Sequence, residues 1–374
     1  MVKVRCIPNG QEVYNVCVDT MPLGTCNFGE SWTKNMPTPR RLELIRAIET
    51  ARGSRVLSYI TGDRHGFETK IATDVFPFIL EHLEAFGSTS KIDLFLYTTG
   101  GITIAASGLV SLIREFAGRF SVLIPFKAQS AGTLVALGAD SIVMSRVGQL
   151  SPVDPTITSP YNPTMPHPVP GNPPQSLPVN VEDVVSFIKL ARSEAGIKNE
   201  QALAEVFRDL AAKVHPLALG SVYRAREQIK MIARRMLQTH MTNGKEIERI
   251  TTLLTRELYS HDYIIGRKEA TEVLKLPIET ADQRWDDPIW SLYKEYENVL
   301  ELTRGFNPET LLQAQQRVTH TFTRAIIEST VATHAFQTVQ EITRVQVTQP
   351  GIPTPIVGFQ ARVISENWVA NSIV

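Results

Sequence analysis

The chain has 374 residues, with 38 Lys and Arg against 38 Asp and Glu, and is 43% hydrophobic and 20% charged. That length allows one large domain or two modest ones, the apolar share supports a sizeable core, and neutrality gives no general attraction to nucleic acid or acidic membrane. No apolar run is long enough to span a bilayer, no apolar leader follows Met1, and three cysteines are too few for a disulfide scaffold; the expectation is a cytoplasmic chain without a membrane span.

Residues 1–37 read as a β-hairpin-like extension, with alternating Val2–Ile7 and Glu12–Val18 around Pro8-Asn9-Gly10. From Thr38 the pattern changes. Pro39 opens a capped helix that stops at Gly53. Arg55–Ile60 reads as a strand, Glu68–Phe86 as a helix and Ile92–Tyr97 as a buried strand. Ile104–Phe116 is helical, Ser121–Pro125 a strand, Ala131–Ala139 a helix and Ser141–Met144 a strand. Strands and helices alternating in this way predict an α/β fold, a parallel sheet with crossover helices.

Pro152 to Pro178 holds 10 of the chain's 23 prolines and excludes helix or central strand. It reads as a connector or as a lid over a site. Helices are expected over Val181–Ala195, Gln201–Val214, Leu219–Met241, Glu246–Leu258 and 285–300. The tail from Phe306 begins helix-like and becomes Thr/Val/Gln-rich, with strands at Val345–Val347 and Ile356–Val363 around Gln349-Pro350-Gly351. The division expected is 1–37, 38–284 as the main domain, and 285–374 as a helical, then β-rich extension.

Two segments could carry chemistry. Leu94-Phe-Leu-Tyr-Thr-Thr-Gly100-Gly101 is a buried strand ending in a glycine pair at the carboxyl edge of the sheet, where open parallel sheets bind ligands. Its N–H groups could hold an oxyanion, or the pair could simply make a tight turn. One unit later, Phe126-Lys-Ala-Gln-Ser130-Ala131-Gly132-Thr133 runs a strand into a serine flanked by small residues where a helix begins. A nucleophile elbow is built this way, and so is an ordinary N-cap.

Those segments also carry a resemblance. The runs YITGDRHGFETKIATDVFPFILEHL, KIDLFLYTTGG, VLIPFKAQSAGTLVALGADSIVM and GQLSPVDPTI, then KVHPLALGSVYRAREQIKMIARRML and LYSHDYIIGRKEATEVLKL, resemble the serine dehydrogenase proteinase family. That family belongs to the Clp-protease-like, crotonase-fold group and is related to signal peptide peptidase A. The similarity extends from about Arg40 to Pro277 in matching order. It implies stacked β-β-α units and a homo-oligomer; the two ends lie outside it, and from their position alone, both bearing strands and both flanking the core, they are expected to form one small β-rich element. Ser130 matches the nucleophile, and Gly100, Gly101 and Ala131 match the oxyanion backbone.

The base is where the chain departs from its relatives. The place of the Clp histidine holds Ser151-Pro152-Val153-Asp154, so the Ser-His-Asp arrangement is not reproduced. Signal peptide peptidases pair serine with lysine on a later helix; Lys213 precedes a comparable one, and His215 beside it is the rival, because imidazole is the side chain most often used as a general base. The candidate bases are His215, then Lys213, then His261 in Ser-His-Asp-Tyr. Lys127 is nearer in sequence, but strand alternation points it to the opposite face. Asp63-Arg64-His65 reads as a loop contact or ion pair at the same edge. Cys6, Cys17 and Cys26 lack a fourth ligand for closed zinc; no metal or cofactor is expected, and no phosphate-binding loop is present.

The resemblance thus implies a serine hydrolase, a peptidase taking a peptide or protein substrate. The alternative is an inactive oligomeric scaffold that kept the fold and lost the base. A crotonase-like acyl-CoA enzyme would use the same oxyanion backbone, but nothing in the sequence points to a CoA site.

Overall fold

The computed structural model describes residues 38–153, 156–157, 160–166, 173–177, 179–257, 263–280, 282–347 and 356–372. The expected hairpin at 1–37 lies outside the described residues. Helix α1 (Pro39–Arg52) starts where Thr38 caps the backbone N–H of Arg41 and stops at Gly53 in the left-handed conformation, as a proline start and glycine stop should.

Four parallel strands follow: β1 (Arg55–Thr61), β2 (Thr89–Tyr97), β3 (Ala117–Ile124) and β4 (Ser141–Met144), paired side by side in that order. The crossovers are α2 (Phe76–Phe86), α3 (Thr103–Phe116) and α4 (Ala131–Leu137). The strands are apolar on both faces because both are covered. Leu57, Tyr59, Leu94 and Leu96 face a core shared with α2, α3 and α4. Their neighbours Val56, Ile60, Phe95 and Tyr97 face the opposite core, shared with α1. The fold is α/β, with a large sheet between helical layers.

The helix expected from Glu68 begins only at Phe76, after a short turn at Thr73–Val75. Ile71 has to stay extended: its N–H bonds Gly100 O and its carbonyl accepts from Ile102 N, both at 2.8 Å.

After β4 come α5 (Val181–Lys189), α6 (Glu200–Lys213), α7 (Pro216–Gln238), α8 (Gly244–Thr252) and α9 (Arg267–Glu272). The second half of α7 packs on α3 and α4, with Ile229, Ile232, Ala233 and Leu237 buried. The proline-rich stretch contributes two-residue ladders, Thr156–Ile157 against Val179–Asn180 and Thr164–Met165 against Gln175–Ser176.

The tail does not form a separate module. Helix α10 (Gln283–Leu300) lies on α1, and its Leu292, Tyr293 and Tyr296 close the second core. Beyond the short α11 (Pro308–Leu312), β5 (Arg317–Glu328), β6 (Ala332–Val347) and β7 (Ile356–Ser372) extend the main sheet antiparallel, β5 lying beside β1. The helix-like reading after Phe306 holds for Pro308–Leu312 and gives way to a strand at Arg317, where Thr319, Thr321 and Thr323 alternate with Val318, His320 and Phe322. The join is buried. Glu328 takes Arg41 Nε at 2.8 Å and Nη2 at 3.0 Å, Tyr296 OH at 2.8 Å and Thr333 Oγ1 at 2.7 Å. Four groups from three segments satisfy one buried carboxylate, which makes such a charge tolerable in a core.

Candidate active site

The carboxyl ends of β1, β2 and β3 are laced by a second set of contacts running across them. Ile71 bridges Gly101, Thr98 bridges Ala128, and Lys127 bridges Gln149. The segments after successive strands therefore lie side by side at one edge of the sheet, and Ser130 and Gly100 meet there.

Ser130 caps α4 with φ 51° and ψ −113°. A non-glycine residue at positive φ is strained, and persists where surrounding contacts over-determine it. The contacts are explicit. Ser130 N–H donates to Ser151 Oγ at 2.8 Å, Gly132 N–H donates to Gln129 O at 2.8 Å, and Thr133 Oγ1 donates to Ala128 O and Ser151 O. Gly132 fits because a methyl there would stand 2.5 Å from Thr98 Cγ2. Small residues are needed next to the serine because the turn is pressed against β2.

The glycine pair is required for two reasons. Gly100 and Gly101 have φ of 115° and 152°, which side chains disfavour. A methyl on Gly100 would also stand 2.7 Å from Ser130 Cβ and 3.2 Å from its Oγ, and one on Gly101 would stand 2.2 Å from Ile71 O. The backbone thus passes directly beside the hydroxyl. Gly100 N–H is already bonded to Thr98 Oγ1 at 2.9 Å, which in turn accepts from Thr61 Oγ1. The N–H groups of Gly101 and Ala131 make no hydrogen bond to a described residue. Two N–H groups, each one residue on from the Gly100–Ser130 contact, are therefore open, and the Ser130 hydroxyl also has no partner among the described residues. Helix α4 has only seven residues, so local N–H groups rather than a long macrodipole supply its positive end.

Ile102 and Ile104, at the start of α3, are exposed beside this edge. Ser151 is a site residue that the sequence pattern does not single out. It is buried and holds the elbow through both its hydroxyl and its carbonyl. Its signal in the sequence is its place at the head of Ser151-Pro152-Val153-Asp154, the stretch that stands where the Clp histidine would.

The candidate bases are not gathered with Ser130. His215 is exposed, caps α7 by accepting from Leu217 N–H at 3.2 Å, and stacks on Tyr161 at 4.8 Å. Lys213 ends α6 and is exposed. Beyond the far end of α7, His240 Nε2 bonds Leu137 O at 2.9 Å. Helix α7 has 23 residues and α4 seven, lengths of about 35 Å and about 10 Å, so His215 and Ser130 of one chain are on the order of 20 Å apart. His261 and Asp154 lie outside the described residues.

Lys127 points away, as strand alternation requires, and its ammonium donates to Asp63 Oδ2 at 2.6 Å. Tyr97 OH donates to the other carboxylate oxygen at 2.9 Å. Arg64 pairs with Glu301, and His65 is exposed. Among the described residues no group of three His, Cys, Asp or Glu side chains could hold a metal, and no helix is long and apolar enough to cross a membrane.

A strand-to-helix serine under backbone strain, bordered by glycine backbone with open donors, is the device of serine hydrolases. Residues 30–168, which contain all of it, match the family model described as ClpP-like SDH-type serine proteinase. Two curated relatives come from Methanocaldococcus jannaschii. The uncharacterized protein MJ1495 is 36% identical over 126 residues, 32% of this chain and 42% of that protein. The uncharacterized protein MJ0137 is 26% identical over 264 residues, 68% of this chain and 79% of that protein. Solved structures with some likeness include a serine-to-alanine mutant of the 1510-N membrane-bound stomatin-specific protease, at 13% identity and TM-score 0.34, covering 60% of this chain and 79% of that one. A lysine-to-alanine mutant of the same protease with a substrate peptide is 14% identical at TM-score 0.33, covering 57% and 72%. Neither constrains the site.

Proposed function

We propose that the chain is a serine peptidase, a cytoplasmic homo-oligomer without cofactor, in which Ser130 attacks the carbonyl of an extended peptide. The observation that carries this reading is the strained Ser130, φ 51°, with its hydroxyl against the Gly100 backbone. The N–H groups of Gly101 and Ala131 hold the oxyanion, and Gly100 shapes the strand so that they converge. The substrate strand lies along Gly100–Ile102, with Ile102 and Ile104 offering apolar contact. The proton goes to His215 or Lys213. Since α7 keeps these far from Ser130 of their own chain, the base comes from a neighbouring copy.

Covalent labelling with a fluorophosphonate, read by intact mass, tests the nucleophile. Wild type gains the phosphonyl mass and Ser130→Ala does not; labelling that persists in the variant removes Ser130 from the mechanism. Mixing tests the base. Ser130→Ala and the double variant Lys213→Ala/His215→Ala are each inactive alone, and co-assembled they recover about a quarter to a half of wild-type peptidase activity, because some sites then pair an intact serine with an intact base. No recovery from a mixed assembly rejects a base supplied in trans.

A second reading rests on the Ser130 hydroxyl having no acceptor among the described residues. A scaffold that kept the fold and lost catalysis has this geometry. Absence of labelling in a folded, assembled wild type, with Ser130→Ala retaining cellular function, would favour it.

A further inference from the structure

The run at Ser130 suits both a nucleophile elbow and an ordinary helix cap, and the other caps of the chain show what the second form looks like. Thr38 before α1 and Asn199 before α6 stand at φ −72° and −71°, and their side chains accept from the third amide of each helix, Arg41 and Ala202, as capping residues do. Ser130 stands at φ 51° and ψ −113°, and its side chain makes no capping bond. The third amide of α4, Thr133 N–H, makes no hydrogen bond to a described residue, although Thr133 is fully buried. An open capping donor thus lies in the first turn of the helix that Ser130 heads.

Turning Ser130 onto that donor requires the Gln129–Ser130 peptide to rotate, and both ends of this peptide are held. Gly132 N–H donates to Gln129 O, and Ser130 N–H donates to Ser151 Oγ, each at 2.8 Å. The first bond is replaceable, because a capping hydroxyl accepts from the second or third amide of its helix. The second depends on Ser151 alone. Ser151 is 1% exposed, and its hydroxyl donates to Pro152 O at 3.0 Å, which turns its lone pairs to Ser130. Its N–H and carbonyl are both fixed on Thr133 Oγ1, at 3.0 and 2.9 Å. Removing the acceptor strands the Ser130 N–H, which shifts a local two-state balance by roughly tenfold. Relief of the positive φ shifts it further in the same direction.

We infer that Ser151 is the positioning residue that selects between these two states. Its hydroxyl keeps Ser130 turned out as a nucleophile; without it, Ser130 swings in to cap α4, and Gly132 or Thr133 N–H engages the hydroxyl. Ser151 does not touch substrate and acts only through the Gln129–Ser130 peptide. The consequence for catalysis rests on the serine peptidase reading, whereas the change of backbone state does not.

The test is Ser151→Ala in the full chain, read by saturable fluorophosphonate labelling and by the crystal structure of the variant. The maximal labelling rate should fall roughly tenfold or more. The half-saturating probe concentration should stay within about threefold of wild type, because the groups that bind the probe are untouched. Ser151→Thr, which restores the hydroxyl, should regain most of the rate. In the crystal, Ser130 of the alanine variant should stand at negative φ with its Oγ on Gly132 or Thr133 N–H. Ser151→Cys fills the same space with a weaker acceptor and takes the place of Ser151→Ala if circular dichroism shows that the alanine variant does not fold. A maximal rate within about threefold of wild type, a loss confined to half-saturation, or a variant still at positive φ with its hydroxyl turned out would each overturn the proposal. A wild type that takes no label removes the peptidase reading instead, and the backbone state of the variant then decides the role of Ser151.

Discussion

Ser130 stores backbone strain, and the strain is measurable. With φ at 51°, the position suits glycine better than any residue with a Cβ. Ser130→Gly should therefore be about 1 kcal/mol more stable than Ser130→Ala by urea unfolding, the reverse of the order found in helices. Equal stability, or a more stable alanine, would mean the turn is relaxed. Gly101 gives the opposite case. Gly101→Ala meets both a positive φ and an Ile71 oxygen 2.2 Å from the new methyl, and that oxygen is backbone and cannot swing aside. A loss of about 3 kcal/mol or more follows, with the extended pairing of Ile71 to Gly100 and Ile102 broken. An unfolding midpoint like that of wild type would contradict the close approach.

At the scale of elements, the tail is bolted to α1 and α10 rather than appended. Removing one side of the buried pair, as in Arg41→Met, leaves Glu328 charged in a core and should cost about 3–5 kcal/mol. The double variant Arg41→Met/Glu328→Leu should recover much of that loss, because it removes the stranded charge as well. A second bolt joins α2 to β6. The ring of His82 lies between Ser329 Oγ at 2.7 Å and His334 Nδ1 at 3.1 Å, and His334 Nε2 faces Glu81 at 3.2 Å. The carboxylate fixes the direction of the chain. His334 Nε2–H donates to Glu81, His82 Nε2–H donates to His334 Nδ1, and the Ser329 hydroxyl donates to His82 Nδ1. Every group in this chain is satisfied with both rings neutral.

At the scale of the molecule, two networks divide the acid response. Burial, and the His334 ring beside it, lower the pKa of His82 from 6.5 to about 3. The unfolded chain therefore takes up that proton first, and the contribution of His82 is complete above about pH 6.5 and lost as pH falls toward 3. Glu279 begins later. Burial alone would raise its pKa, but Arg52, at 2.9 and 3.0 Å, and the Ser141 hydroxyl hold it down to about 2; its contribution is lost only as pH falls through the carboxylate range toward 2. Stability should decline first below about pH 6.5, by up to about 1.4 kcal/mol per pH unit for each imidazole. The decline should steepen further below about pH 4.5, where the ordinary carboxylate titrates. Replacing His82 with Leu should flatten the upper slope and leave the lower one. A variant whose upper slope matches wild type would show that the buried pair is not its source.

Much of the architecture was legible in local pattern. Alternating buried strands and helices from Arg55 to Met144, the proline start and glycine stop of α1, and the strand–serine–helix run at Ser130 are properties of short segments. Covalent geometry and hydrophobic periodicity act over a few residues, and a sequence displays them directly. The start of α2, the strand character of Arg317–Glu328 and the place of Ser151 were less legible. Each is fixed by a partner distant in the chain: Gly101 for Ile71, β1 for β5, and Ser130 for Ser151. The sequence by itself determined an α/β sheet and a serine turned out at its edge beside a glycine pair. Only the tertiary structure decided that the tail continues the sheet through a buried Glu328, that Gly100 touches the serine, and that α7 carries His215 out of its reach. Those outcomes depend on long-range packing and on the rigid length of a helix, which no local window of sequence contains.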